Sequence, residues 1–378
     1  MTKSVAFVAA CRGARLTFFA AGLAIGGWAS LIPSIKHNLV LGDAGFGSIL
    51  LCLGLGSLCA MPATGILASK IGARQIIVIA GVLNSVLLPL LAIAPSPVLL
   101  GMTLLAFGFF LGALDVAINV HGSAVERVLE KPLMSGFHAM FSVGNLVGAA
   151  STTGMLGLGM PPATAGLVCA VIEMGVLLAA RRLLLSEGKR PTERLTVPRG
   201  AVFVVAGLLG VVFLLEGAFL DWGGLLAIEL GHATETTAGM AFSTFAAAMV
   251  VMRFFGDALS ARFGSTLILF LGTAIAASGI AVIASSQIFV LLLTGCALSG
   301  MGLANMAPVL ISTAGRLSPG AASVAVSSVA TVGYAGHLMG PTVVGFIAQC
   351  RDLAFAFWLL AFLLMVTPFL YLAATRRG

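Results

Sequence analysis

Charged side chains are scarce in this sequence. Asp, Glu, Lys and Arg make up 9% of its 378 residues, where a soluble domain carries about 25%. With 60% hydrophobic residues and a mean hydropathy of +1.13, too little polar surface exists to hide the apolar remainder from water. Most of the chain must be dissolved in lipid. The net charge of +7 does not point to nucleic acid, because the basic residues are spread among short loops rather than gathered on one face. The six cysteines form no CxxC pair and sit mostly within apolar runs, which excludes a disulfide framework or a metal-ligand set. A lipoprotein-like box ends at Cys11, but its apolar lead is short and Arg12 and Arg15 follow at once, so the first run reads as a retained helix. Phosphate loops, nucleotide-binding glycine motifs and metal clusters are also missing, so no cofactor and no metal are expected.

One polar stretch stands out, residues 181–200 (RRLLLSEGKRPTERLTVPRG), with Arg181, Arg182, Lys189, Arg190, Arg194 and Arg199. It falls at the midpoint and reads as a cytoplasmic linker between a bundle at 1–180 and another at 201–378. A helix crossing about 30 Å of hydrocarbon needs about 20 apolar residues. Polar and Pro/Gly punctuation gives spans near 13–35, 45–68, 75–94, 98–121, 134–158 and 162–181. The second half gives 201–226, 237–260, 266–284, 288–312, 321–348 and 353–374. The expected fold is all-α, twelve transmembrane helices in two pseudo-symmetric six-helix bundles. Placing both termini in the cytoplasm puts seventeen Lys/Arg inside and only Lys36 and Arg351 outside, as the positive-inside rule requires. Small-residue pairs, Gly144-x3-Gly148 in span 5 and Gly336-x3-Gly340 in span 11, mark close-packing faces at corresponding places in the two halves.

The loop between spans 2 and 3 reads Gly65-Ile-Leu-Ala-Ser69-Lys70-Ile-Gly72-Ala-Arg74, and the loop after span 8 reads Arg253-Phe-Phe-Gly-Asp257-Ala-Leu-Ser-Ala-Arg262-Phe-Gly264. Both resemble the loop signature of the major facilitator superfamily, repeated at the same place in each half. The signature's Asp is Ser69 in the first copy and Ala261 in the second, while Asp257 stands four residues from Arg253, a spacing that suits a helical ion pair. Gly27-Trp28-Ala29, Phe137-His138 with Ser142 and Gly144, Glu216-Gly217 and Asp221-Trp222 resemble the YbjJ-like and MosC-like bacterial branch. The resemblance implies a transporter of small solutes, a polyol- or inositol-like amine among them, in the bacterial inner membrane. It also implies that the loop residues Gly65, Ser69, Lys70, Gly72, Arg74, Arg253, Asp257 and Arg262 act in gating.

Ionisable side chains at mid-bilayer cost at least about 2.5–3.5 kcal/mol and are kept where a cavity or partner offsets that. Asp115 and Asn119 share one face of span 4, and His138 enters span 5 from the same side, so an Asp115–His138 hydrogen bond is geometrically open. Burial disfavours the charged form of each, which suits proton uptake and release; a permanent staple between helices is the alternative. Glu216 and Asp221 of span 7 lie about 140° apart around the helix. Either could bind solute or proton, and Asp221 could instead cap the outer gate. Trp28 and Trp222 offer aromatic faces for a sugar ring or a cation, or serve as interfacial anchors. Asn145, Asn305 ahead of Pro308, Tyr334 and His337 complete the solute-binding candidates. His121, Glu126 and Arg127 read as solvated, Phe355, Phe357 and Trp358 as lipid-facing, and Glu173 as a structural or protonated side chain in span 6.

The expected function is secondary active transport of a small polar solute by alternating access, coupled to protons, by a monomer that partners only lipid, solute and proton. The alternatives are a proton-driven efflux antiporter and, in another class, a membrane-embedded enzyme. The two acids favour a neutral or cationic solute unless Arg15 or Arg253 reaches inward.

Overall fold

Hydrocarbon offers the backbone no hydrogen-bond partner, so a lipid-dissolved chain must satisfy its own N–H and C=O groups. A computed structural model describes residues 3–40, 43–185, 200–230, 239–285, 288–318 and 320–376, and among these every regular element is a helix. Most of the expected linker, including Lys189, Arg190, Arg194 and Arg199, lies outside them. The helices are α1 (Lys3–Asn38), α2 (Asp43–Ile71), α3 (Ala73–Ala92), α4 (Pro97–Leu129), α5 (Met134–Gly157) and α6 (Pro162–Arg181). There follow α7 (Ala201–Glu229), α8 (Gly239–Ser285), α9 (Phe289–Leu303), α10 (Met306–Leu317), α11 (Ala322–Cys350) and α12 (Leu353–Thr375). Nine segments among the described residues are long and apolar enough to cross a membrane.

The punctuation is chemical. Ser96 accepts the Leu99 N–H at the start of α4, with Pro97 at the first helical position, where its missing N–H costs nothing. Asp352 accepts from Phe355 N–H at 2.6 Å and starts α12. Between α2 and α3 the chain turns at Gly72 (φ 85°), and inside α8 it turns at Gly264 (φ 75°). Both are left-handed positions that a Cβ disfavours, and both are glycines of the repeated loop. Expected spans 8 and 9 therefore appear as one 47-residue element bent at Gly264. Expected span 10 is instead divided, with α9 ending before Ala304–Asn305 and α10 beginning at Met306.

The helices gather into two compact units, one of residues 1–130, 137–196 and 321–327, the other of 131–136, 197–320 and 328–378. Relative to a cut at 181–200, the entry to α5 counts with the second unit and the start of α11 with the first. In the first unit α1 and α5 meet through facing glycine pairs. A Cβ on Gly22 or Gly144 would lie 2.0 Å from a carbonyl oxygen of the other helix. Trp28, Leu31, Leu88, Leu104 and Phe107 form the neighbouring core. In the second unit Phe219 stacks on Phe245 at 4.4 Å and takes the edge of Phe357 at 5.2 Å. Phe357 is thus a core residue rather than a lipid-facing one; its 1% exposure contrasts with 47% for Trp358. Large apolar side chains cover the outside, with Val171, Phe346, Phe362 and Phe369 each at least 62% exposed. Such a surface is stable only against lipid.

Candidate functional site

Each unit holds a half-buried cluster built around an acid. In the first, the α-helical period brings Asp115 and Asn119 of α4 together. The Asn119 amide Nδ2 donates to the Asp115 carbonyl at 2.9 Å and to its carboxyl Oδ1 at 3.4 Å. The amide oxygen is 3.2 Å from His138 Nε2 of α5. Because that oxygen can only accept, Nε2 carries the hydrogen. Asn119 therefore stands between the acid and the imidazole, where a direct Asp115–His138 bond was expected. Phe18 of α1 sets its ring 5.2 Å from His138 and stacks on Phe137 at 5.7 Å, fixing the imidazole from the other side.

In the second unit the acid is held by a cation. Glu216 Oε1 of α7 lies 3.5 Å from Arg253 Nη2 of α8. Arg253 is buried, and its Nε donates to the Ala304 carbonyl at 3.1 Å. That carbonyl sits at the break between α9 and α10, where the helical ladder leaves acceptors unused. Asn305, at the same break, donates to the Met252 carbonyl at 3.2 Å. One arginine thus ties an acid on α7 to the interruption ahead of α10. His337 of α11 lies 3.3 Å from the Phe213 carbonyl through Nδ1, which must be the donor. Gly217 makes room for it, since a Cβ there would lie 3.2 Å from Nδ1. His337 thus packs against α7 one residue from Glu216. Asp221 is exposed, on a different face of α7 from Glu216.

The remaining candidates scatter. Trp28 is 5% exposed and tilted against Phe107 at 6.2 Å, deep in the first core. Trp222 lies against Gly345 of α11, and its indole N–H is buried with no partner among the described residues. Tyr334 is half-buried with its ring 6.4 Å from His337. Asn145 is half-buried on α5 beside the glycines of α1.

The loop residues divide between backbone and charge. Ser69 donates to the Ile66 carbonyl at 2.7 Å, capping the end of α2 from the place where the signature has an acid. Gly65 admits Ser327, whose Oγ would lie 2.5 Å from a Cβ there and which donates to the Met61 carbonyl at 2.6 Å. Asp257 accepts the Gly136 N–H at 2.9 Å, at the start of α5. Lys70 and Arg262 are exposed and Arg74 is half-buried. Arg253 is no surface charge, since it belongs to the Glu216 cluster. His121 and Glu126, expected in solvent, are 0% and 7% exposed. His121 Nε2 accepts the Leu185 N–H at 3.0 Å, holding the chain just past α6. Sequence spacing could not reveal that bond, because its donor is a backbone group 64 residues away.

Helices this apolar agree with what the chain is similar to. No protein-family model matches it. An uncharacterised MFS-type transporter of Yersinia pestis is 39% identical over 364 residues, covering 96% of this chain and 95% of that one. The chain belongs to the major facilitator superfamily. An uncharacterised transporter, y4wD, of Sinorhizobium fredii is 32% identical, with 92% and 93% covered. The membrane protein MosC of Rhizobium meliloti is 28% identical, with 89% and 83% covered. Among solved structures, the transporter FucP in its outward conformation superimposes with a TM-score of 0.80 at 17% identity, covering 99% of each chain. The protein is a multi-pass membrane transporter of this superfamily.

Proposed function

We propose that this superfamily member moves a small polar solute, of sugar, polyol or amine type, by alternating access driven by protons. The carrying observation is the pair of half-buried acid clusters, Asp115–Asn119–His138 and Glu216–Arg253–His337. Burying ionisable groups in an apolar bundle is costly, and protonation of a carboxyl is the cheapest way to change its charge during a cycle. In the first unit a protonated Asp115 would lose its acceptor strength toward Asn119 and so loosen the amide from His138. In the second, protonating Glu216 would release Arg253 from its ion pair while Ala304 still holds it, altering what α7 and the α9–α10 break share. Trp222, with an unused indole N–H, and Asn305, Asn145, Tyr334 and His337 supply polar and aromatic contacts for the solute. With Glu216 offset by Arg253, Asp115 and Asp221 are the acids left to face it, which favours a neutral or cationic solute.

In this reading the protein sits in a bacterial inner membrane as a monomer with both termini cytoplasmic. FucP, crystallised also as a fucose:proton symporter variant, is an example of proton coupling on this fold. The test is a thermal-shift screen of the purified protein against sugars, polyols, amines and drugs at two pH values. Proteoliposome flux of the strongest hit follows, with and without a pH gradient. Gradient-driven accumulation supports the reading, drug export against the gradient replaces it with antiport, and flux indifferent to the gradient removes proton coupling.

A further inference from the structure

Glu173, on α6, takes part in neither cluster. It is 0% exposed, and neither carboxyl oxygen has a hydrogen-bond partner among the described residues. Two polar side chains stand beside it, the Cys169 thiol one turn earlier on α6 and the Ser85 hydroxyl of α3. Each of these groups owns a single hydrogen, and both hydrogens are committed elsewhere. Ser85 Oγ donates to the Gly81 carbonyl at 2.9 Å, and Cys169 Sγ to the Leu23 carbonyl at 3.5 Å. In that arrangement neither gives the carboxyl a hydrogen bond, although the Ser85 hydroxyl is near enough to favour an anion if it turned from Gly81. Thr152, next to Cys169, gives the carboxyl no hydrogen bond either.

A carboxylate in this place would be an ion inside a bundle, with no hydrogen bond and no cation paired to it among the described residues. The penalty for an unpaired buried ion is several kcal/mol. The surroundings of Glu173 therefore suit the neutral acid, which has no charge to pair, over the anion. Neither α1 nor α3, the helices packed on α6, brings a charged side chain against it among the described residues, and Cys169 is the one titratable neighbour.

We propose that Glu173 is a proton-binding site inside the first unit, filled at neutral pH and separate from Asp115–Asn119–His138. It takes a proton from water when the bundle forms and keeps it because, fully buried, the anion would have no cation and no hydrogen bond among the described residues. It is independent of the solute and of the proton-coupling reading above, so each stands or falls alone. An unfolded chain's glutamate is ionised at neutral pH, so the folded protein binds one proton more there. Raising the pH then favours unfolding, by about tenfold in the unfolding constant per pH unit while the folded site stays filled.

The experiment uses the purified full-length protein in detergent, as wild type and Glu173→Gln. Infrared spectra in heavy water should show a protonated-carboxyl carbonyl band in the wild type that Glu173→Gln removes. Reversible unfolding should lose the pH-dependent component of about tenfold per unit in that variant. An unchanged band, or equal pH dependence in both proteins, overturns the proposal. If Glu173→Gln does not fold, Glu173→Asp replaces it. A carbonyl band that shifts in that variant supports the site, and a band that stays put, or is absent from the wild type, refutes it.

Discussion

The two units hold an acid in different ways. In the first, Asp115 is held by an amide and through it reaches an imidazole. In the second, Glu216 faces the guanidinium of Arg253, which also grips the carbonyl at a helix break. A neutral cradle tolerates either protonation state of its acid, whereas an ion pair makes each partner dependent on the other's charge. The first cluster is thus suited to proton exchange at little structural cost, and the second to linking charge to helix position.

The largest effect should come from breaking the charged cluster. Arg253→Leu leaves Glu216 without its cation and should destabilise by about 3–5 kcal/mol, read as unfolding in mixed micelles. Glu216→Gln added to it should recover a large part, because no charge is then stranded. The corresponding change in the other unit, Asp115→Asn, should leave stability within about 1 kcal/mol yet abolish the response to a pH gradient. Equal destabilisation by Arg253→Leu and Asp115→Asn would erase the contrast.

Close packing gives the next effect. Gly144→Ala in the first unit and Gly336→Ala in the second each place a Cβ 2.0 and 2.3 Å from a backbone carbonyl oxygen, and each should cost about 1–3 kcal/mol. Gly154→Ala, with nothing within 4 Å of its Cβ, is the control and should be neutral or slightly stabilising. Smaller again is Asn119→Ala, which removes the amide between Asp115 and His138 and should cost about 1 kcal/mol. It should also change the apparent proton affinity of transport, seen as a displaced pH–rate profile. An unmoved profile would mean the amide only packs. The smallest change is expected for Asp257→Asn, which keeps an acceptor for the Gly136 N–H and should cost below about 1 kcal/mol.

Much of this was legible in sequence because it depends on local rules. Gly72 and Gly264 stand where the chain needs a positive φ, so a repeated loop motif revealed two turns at once. Asp115 and Asn119 are four residues apart, and helical geometry alone pairs them. Span 10 reads as one helix in sequence, and the break between α9 and α10 at Asn305, three residues ahead of Pro308, is set by the fold. What stayed hidden depends on partners distant in sequence or on backbone atoms. The depth of Arg253 is not legible in sequence, because the position of a side chain along a helix cannot be set from loop punctuation. Its partners are Glu216, on another helix, and a carbonyl that only a broken ladder leaves unused. Phe357 looked lipid-facing because an apolar helix has no polar face to say which side is inward, and its place under Phe219 is a matter of tertiary packing. Asn119 as mediator between Asp115 and His138 is not legible in sequence, because a bridging amide depends on how α4 and α5 meet.

The most direct measurement sets the two acids side by side. Accumulation of a screened solute by proteoliposomes would be followed with and without an imposed pH gradient, in wild type, Asp115→Asn and Glu216→Gln. Both variants should lose gradient-driven accumulation while still exchanging solute across the membrane, with proteins that remain folded. Accumulation that follows the gradient undiminished in both would contradict the assignment of proton movement to these two clusters.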